Sequence, residues 1–167
     1  MRGAAVARRV RPMVVRVEDL AEAELGAFIA RSNAEYIRER VEAGDSLDYA
    51  RQRAREANEQ YFPGGAPAPG HRVLAVIDDD GAAVGWLWLG PFSAEHPADW
   101  WVFDIEIEAE RRGRGLGRAA MLLAEEVARE GGATRLGLNV FGHNTVAQHL
   151  YSTLGYGVTA INMSKPL

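Results

Sequence analysis

The sequence predicts a mixed α/β fold in which helices layer a central sheet, and three observations lead there. Runs with strand-like and helix-like apolar periods follow one another in the order β, α, α, β, β, β, α, β, α, β. Asp80-Gly81 lies between two strand-like runs and marks an antiparallel hairpin within the central group of three strands. The chain has 167 residues, enough for one domain and too few for two. This order fits a meander with one or two crossover helices rather than a long series of βαβ units. Residues 1–12 read as a flexible N-terminus and residues 13–167 as the domain.

The elements follow in order. MVVRV, Met13–Val17, reads as the first strand, and Glu18-Asp19 opens a helix running to about Glu42. Its apolar positions are Leu25, Phe28, Ile29, Tyr36, Ile37 and Val41, and Gly44 ends it. A more polar helix from about Ser46 to Tyr61 closes in the proline- and glycine-rich loop FPGGAPAPG. RVLAVIDD and AAVGWLWLG are the strands flanking Asp80-Gly81. After a second loop, FSAEHPAD, the run WWVFDIEIEA alternates as a strand; a glycine- and arginine-rich turn then leads into a helix ending at Gly131-Gly132. RLGLNV is the next strand, NTVAQHLYSTLG a short helix and YGVTAINMSK a last strand.

Composition narrows the function. A net charge of −4 argues against a protein whose main work is covering nucleic-acid phosphates, so any anion site must be local. There is no cysteine, which excludes disulfides and thiolate metal sites and fits the cytoplasm. The basic first dozen residues lack the apolar core of about 7 to 15 residues that a secretory signal needs. His71, His96, His143 and His149 show no metal-ligand spacing and read as surface or helix residues, so no metal is expected.

The turn EAERRGRGLGRAA carries the chemistry. Arg111, Arg112, Arg114 and Arg118 place four cations in eight residues of an acidic chain, while Gly113, Gly115 and Gly117 permit positive φ and close approach to a ligand. The helix beginning near Leu116 aims its free amides and positive dipole end at the same point. A polyphosphate is the natural ligand; a solvated basic helix cap would explain the arginines but not the three alternate glycines. Triphosphate hydrolysis of the P-loop kind is excluded, since the chain's one lysine is Lys165. Gly115, Gly117 and Ala120 satisfy the dinucleotide spacing GxGxxA, but the preceding strand carries Asp104, Glu106 and Glu108 instead of an apolar run.

Arg112, Gly115 and Gly117 form an RxxGxG loop, and Asn144, Ala147, Tyr151, Gly155 and Tyr156 follow in NTVAQHLYSTLGY. On these two motifs the chain resembles the GNAT superfamily of N-acetyltransferases over nearly its whole length. The resemblance implies a mostly antiparallel mixed sheet with splayed middle strands and helices on both faces, and acetyl-CoA as donor. By the same resemblance, pyrophosphate sits on the amides of Arg112, Gly113, Arg114, Gly115, Leu116 and Gly117, with Arg118 beside them. Pantetheine runs along backbone near Ile105 and Ile107, where the strand from Leu136 splays away, and Asn144 caps its helix and also touches the cofactor. The implied partner is a small-molecule or peptide amine acceptor, with a homodimer compatible and neither nucleic acid nor membrane expected.

The proton-transfer groups are read as follows. Asp104, Glu106 and Glu108 share one strand face opposite Phe103, Ile105 and Ile107, so water or a substrate cleft lies beside them. An ammonium of pKa about 10 must lose a proton before it can attack. Relatives with a glutamate on the later strand, in an LxExV setting, find Asn139 in this chain's LGLNV, which leaves Asp104 or Glu106 as base; that strand's usual bulge leaves their facing open. Tyr151 alone reads as a core tyrosine, and the resemblance makes it the acid that protonates the departing thiolate. Trp86 and Trp88 either line an acceptor pocket or belong to the core. Rival readings are a non-catalytic CoA-binding module and a dinucleotide-binding fragment.

Overall fold

The computed structural model describes residues 15–163 and residue 165, so the expectation for residues 1–12 lies outside the described residues. Strand β1 (Arg16–Asp19) pairs antiparallel with β2 (Arg72–Ile77), and Arg72 grips the Asp19 carboxylate from Nε and Nη2 at 2.9–3.1 Å. Met13 and Val14 of the expected strand lie outside the described residues; the strand runs on past Val17 to Asp19, and the first helix starts later than Glu18-Asp19. The cause is that Glu18 and Asp19 are still spent on the sheet, in register with Ala75 and Leu74.

Helix α1 (Glu22–Glu42) follows, and the chain turns at Gly44, φ +107°. Helix α2 (Leu47–Tyr61) begins on Ser46, whose hydroxyl accepts the Tyr49 amide at 3.3 Å. The sheet continues through β3 (Ala83–Ser93) and β4 (His96–Ile107), each antiparallel to the strand before it. The expected loop FSAEHPAD is instead mostly ladder, with Ser93 opposite His96 and only Ala94-Glu95 at the turn. Pro97 in that stretch and Pro91 just before it suggest a break, but both fall near a hairpin end where the register already shifts.

Helix α3 (Leu116–Glu130) crosses over to β5 (Arg135–Leu138), which pairs parallel with β4, and α4 (Thr145–Thr153) follows. The five strands lie in sequence order. The expected last strand is absent among the described residues: 156–163 form no ladder, with Val158, Ile161 and Met163 exposed, so β5 is the sheet edge. An alternating apolar pattern makes a strand only where a face exists to bury it.

Alternate strand residues feed two cores. Leu74, Val76, Leu87, Leu89 and Val102 pack on α3 through Leu116, Ala120 and Met121. Val73, Trp86 and Trp88 pack on the other side with Phe28 of α1 and Phe62. Trp86, Trp88 and Trp100 are thus core residues. Among the described residues no helix is long and apolar enough to cross a membrane.

Gly85 opposes Ile107, and a Cβ there would lie 2.1 Å from the Glu106 carbonyl oxygen. Backbone cannot swing aside as a side chain can. Gly85→Ala is therefore expected to destabilise the fold by about 1–3 kcal/mol, as overpacking does, in urea denaturation.

Candidate active site

Strand β4 delivers the site. In its pairing with β3, Trp88 faces Asp104 while Leu89 faces Val102, so Phe103 is an inserted residue. Val102, Ile105 and Ile107 consequently belong to the α3 side. Phe103 stacks on Trp88 with ring centroids 4.7 Å apart, on the α1–α2 side. Asp104 meets α1 on that same side. Phe103 and Asp104 were expected on opposite faces; the bulge reverses the alternation between them. The β4–β5 ladder ends at Val102 and Leu138, so β4 beyond the bulge has no ladder partner on that edge, and Ile105 and Ile107 lie in this open stretch.

A single 3₁₀ turn, Ala109–Arg111, joins β4 to the loop. Gly113 and Gly115 have φ of +74° and +83°, and a Cβ on either would meet nothing within 4 Å, so the ground before them is open. Gly115 is the N-cap of α3, whose first-turn amides have no intrahelical acceptor. Gly117 instead faces Leu150 of α4, which a Cβ would touch at 3.5 Å. Leu116 is buried in the core, so only its backbone can meet a ligand.

The arginines do not act alike. Arg112 folds back on β4, donating from Nε to the Ile107 carbonyl at 2.7 Å and pairing with Glu106 at 3.2 Å. Arg111 pairs with Asp78 at 3.3 Å. Arg114 lies out in solvent, reaching the Glu110 carbonyl at 3.5 Å, and Arg118 donates to the Thr153 hydroxyl on α4. The groups that remain outward at this turn are the amides, the helix end and the arginines Arg114 and Arg118, the kinds of donor an anion would need.

The acids gather with groups from α1 and α4. Asp104 Oδ2 accepts from the Ser32 hydroxyl at 2.5 Å and from the Trp86 indole at 3.4 Å. Burial raises the Asp104 pKa, Ser32 and Trp86 pull it back, and Glu35 adds to the rise. Burial, then Asp104 and Glu35, raise Glu106 against the pull of Arg112. Glu39 is raised by burial and by Glu35 and Asp104. Tyr151 is raised by burial and then by the carboxylates of Asp104 and Glu39, so groups from α4, β4 and α1 act on one another. His143 lies 3.6 Å from Glu42 at the end of α1.

Sequence reasoning missed Ser32, Glu35 and Glu39. A signal was available: Leu25, Phe28, Ser32, Glu35 and Glu39 recur every three or four residues, a sheet-facing stripe that turns acidic halfway along. Asn144 does cap α4, its Oδ1 accepting the Ala147 amide at 3.1 Å. Glu108 is exposed beyond the strand end; its backbone amide donates to the Val84 carbonyl at 2.9 Å and its carbonyl accepts the Arg111 amide at 2.8 Å. His71 is neither a surface nor a helix residue. It is half-buried beside Tyr61 and Phe103, accepts the Trp88 indole at 3.2 Å, and has its pKa lowered chiefly by burial.

Comparison with known proteins gives a concordant result. The acetyltransferase (GNAT) family matches residues 30–156. The chain is 32% identical over 156 residues to YdgE of Bacillus subtilis, described as an uncharacterised N-acetyltransferase, covering 93% of this chain and 99% of that protein. The crystal structure of YycN from the same organism superposes with a TM-score of 0.83 at 28% identity, covering 92% of this chain and 99% of the other. A streptothricin acetyltransferase of Streptomyces lavendulae is 32% identical over 95 residues, 54% of this chain and 47% of that protein.

The raised Asp104 pKa has a consequence for stability. An unfolded aspartate titrates near 3.9, so below about pH 4 both states are protonated and the group costs nothing. As pH rises toward the folded value, the unfolded chain ionises first and that stability is lost. Asp104→Asn keeps an oxygen acceptor for Ser32 without the charge. It is expected to be more stable than the parent at pH 8, with the advantage vanishing near pH 4, in paired urea melts. A difference independent of pH would contradict a desolvated carboxylate.

Proposed function

The chain belongs to the acetyltransferase (GNAT) family, and on that premise we propose that it transfers an acetyl group from acetyl-CoA to a primary amine by direct attack in a ternary complex. The observation that carries this reading is the continuity of an open strand edge with an anion loop. Strand β4 loses its β5 partner after Val102 and runs, within a few residues, into a glycine turn whose ground is open and into the N-terminus of α3. Pantetheine amides fit the unpaired backbone around Ile105 and Ile107. The amides from Arg112 to Gly117 fit pyrophosphate, with Arg114 and Arg118 within reach as forked donors.

Acetyl-CoA supplies an activated acyl carbon with a thiolate leaving group. Glu35, Glu39, Asp104 and Glu106 favour a cationic acceptor, as an alkylamine is at neutral pH. Glu106, less enclosed than Asp104, takes the ammonium proton through a water, and its raised pKa makes it a better base than a free carboxylate. Tyr151 gives its phenolic proton to the sulfur as the C–S bond breaks and the N–C bond forms. The second N–H proton of the amine then restores the phenol, so the protons balance with one left on Glu106. The raised Tyr151 pKa keeps the phenol protonated until it is needed.

Two variants separate binding from chemistry. Gly115→Val, at φ +83°, sets a branched side chain in the open ground of the loop and is expected to weaken CoA binding at least tenfold by calorimetry. Tyr151→Phe should leave CoA affinity and the melting midpoint near those of the parent, while kcat in a thiol-release assay falls by roughly one to four orders of magnitude. Unchanged kcat would return Tyr151 to the core, whereas a parent that binds CoA and releases no thiol would favour a CoA-binding module without catalysis.

A further inference from the structure

Asp78, directly after β2, is 1% exposed and is the one charged residue buried in the core among the described residues. A buried carboxylate is costly unless its oxygens are met. Its Oδ1 accepts the amides of Asp80 at 3.1 Å and Ala82 at 2.9 Å, which shapes the β2–β3 hairpin turn. That task needs an oxygen and no charge. Its Oδ2 leaves the hairpin and meets Arg111, 33 residues on, at 3.3 Å.

Arg111 closes the 3₁₀ turn and directly precedes Arg112, the first residue of the anion loop. The loop is thereby held from two sides, by Arg111 on Asp78 and by Arg112 on the Ile107 carbonyl and Glu106. Between these restraints and α3 stand Gly113 and Gly115, both at positive φ and both without side chains to fix them.

We propose that Asp78 is a positioning residue for the donor site: by pinning Arg111 it sets the Arg112–Gly117 amides before pyrophosphate arrives. A loop ordered in advance binds without the conformational cost of ordering on contact. The inference rests on the acetyl-CoA reading above. Asp78 touches no ligand and acts through Arg111 alone.

The test measures CoA binding by calorimetry, steady-state constants for acetyl-CoA and melting midpoints on the parent, Asp78→Asn, Arg111→Gln and the double variant. Asp78→Asn keeps an oxygen for the hairpin amides and removes the charge that holds Arg111. Each single variant is expected to raise the CoA Kd and the acetyl-CoA KM about tenfold. Saturated kcat should stay within about twofold of the parent, and the double variant should bind no worse than either single one. Should Asp78→Asn fail to fold, Arg111→Gln, on a partly exposed side chain, carries the same readout. Folded variants with parental CoA affinity, or with fully additive losses, would overturn the positioning role and leave Asp78 a hairpin residue. A parent that itself binds no CoA would overturn the donor reading, and this role with it.

Discussion

At Phe103, strand β4 carries one residue more than β3 opposite it, and this insertion governs both what each face of the sheet presents and where the sheet opens. Before it, Trp100 and Val102 serve the α3 core; after it, Ile105 and Ile107 do, so two consecutive residues are left to face α1 and α2. One of them, Phe103, completes an aromatic cluster, and the other, Asp104, puts a carboxylate at the cluster's margin. A bulge also bends its strand. The β4–β5 ladder stops at the residue before it, and the backbone released there is the stretch that the proposed donor follows.

The two cores have different duties. The α3 side is built mainly of aliphatic residues and fixes the glycine turn by anchoring Leu116 and Ala120 of the helix that follows it. The α1 side is aromatic: Phe28 sits edge-on to Trp86 and Trp88, with centroids 6.2 and 6.3 Å apart. That contact sets the rotation of α1 about its axis. Ser32, Glu35 and Glu39 lie one, two and three turns further along the same stripe, so their approach to Asp104 follows from how Phe28 is seated. The acid cluster is thus positioned by an aromatic core that reaches it through the Trp86 indole.

Much of this was legible in the sequence because it depends on local chemistry. Gly113 and Gly115 stand where positive φ is required, Ser46 and Asn144 where helices begin, and Asp80-Gly81 where a hairpin turns. What escaped depends on the third dimension. The resemblance implies a bulge in this strand but not its place, and nothing at Phe103 itself announces the inserted residue. YGVTAINMSK alternates as a strand should, yet alternation records a capacity for pairing and not the presence of a partner. Glu35 and Glu39 look like solvated helix residues until Phe28 shows which way their stripe faces. Arg111 and Arg112 were grouped with Arg114 and Arg118 by proximity, whereas Asp78 and Glu106, distant or on the neighbouring strand, divide them.

The strand order also has a history in time. Strands β1 to β4 lie side by side in sequence order, and β2, β3 and β4 follow one another through tight turns, so that part of the sheet can grow by successive hairpins over short chain separations. The parallel ladder to β5 has only four residue pairs, and its members stand 36 residues apart, with all of α3 between them. Long-range pairing of this kind forms late and opens early. Tyr151 stands on α4, beyond that last junction, while Asp104 and Glu106 stand on β4, within the meander. The proposed site therefore draws on an early half and a late half, and a partial opening that frees α4 would separate them with the meander still intact.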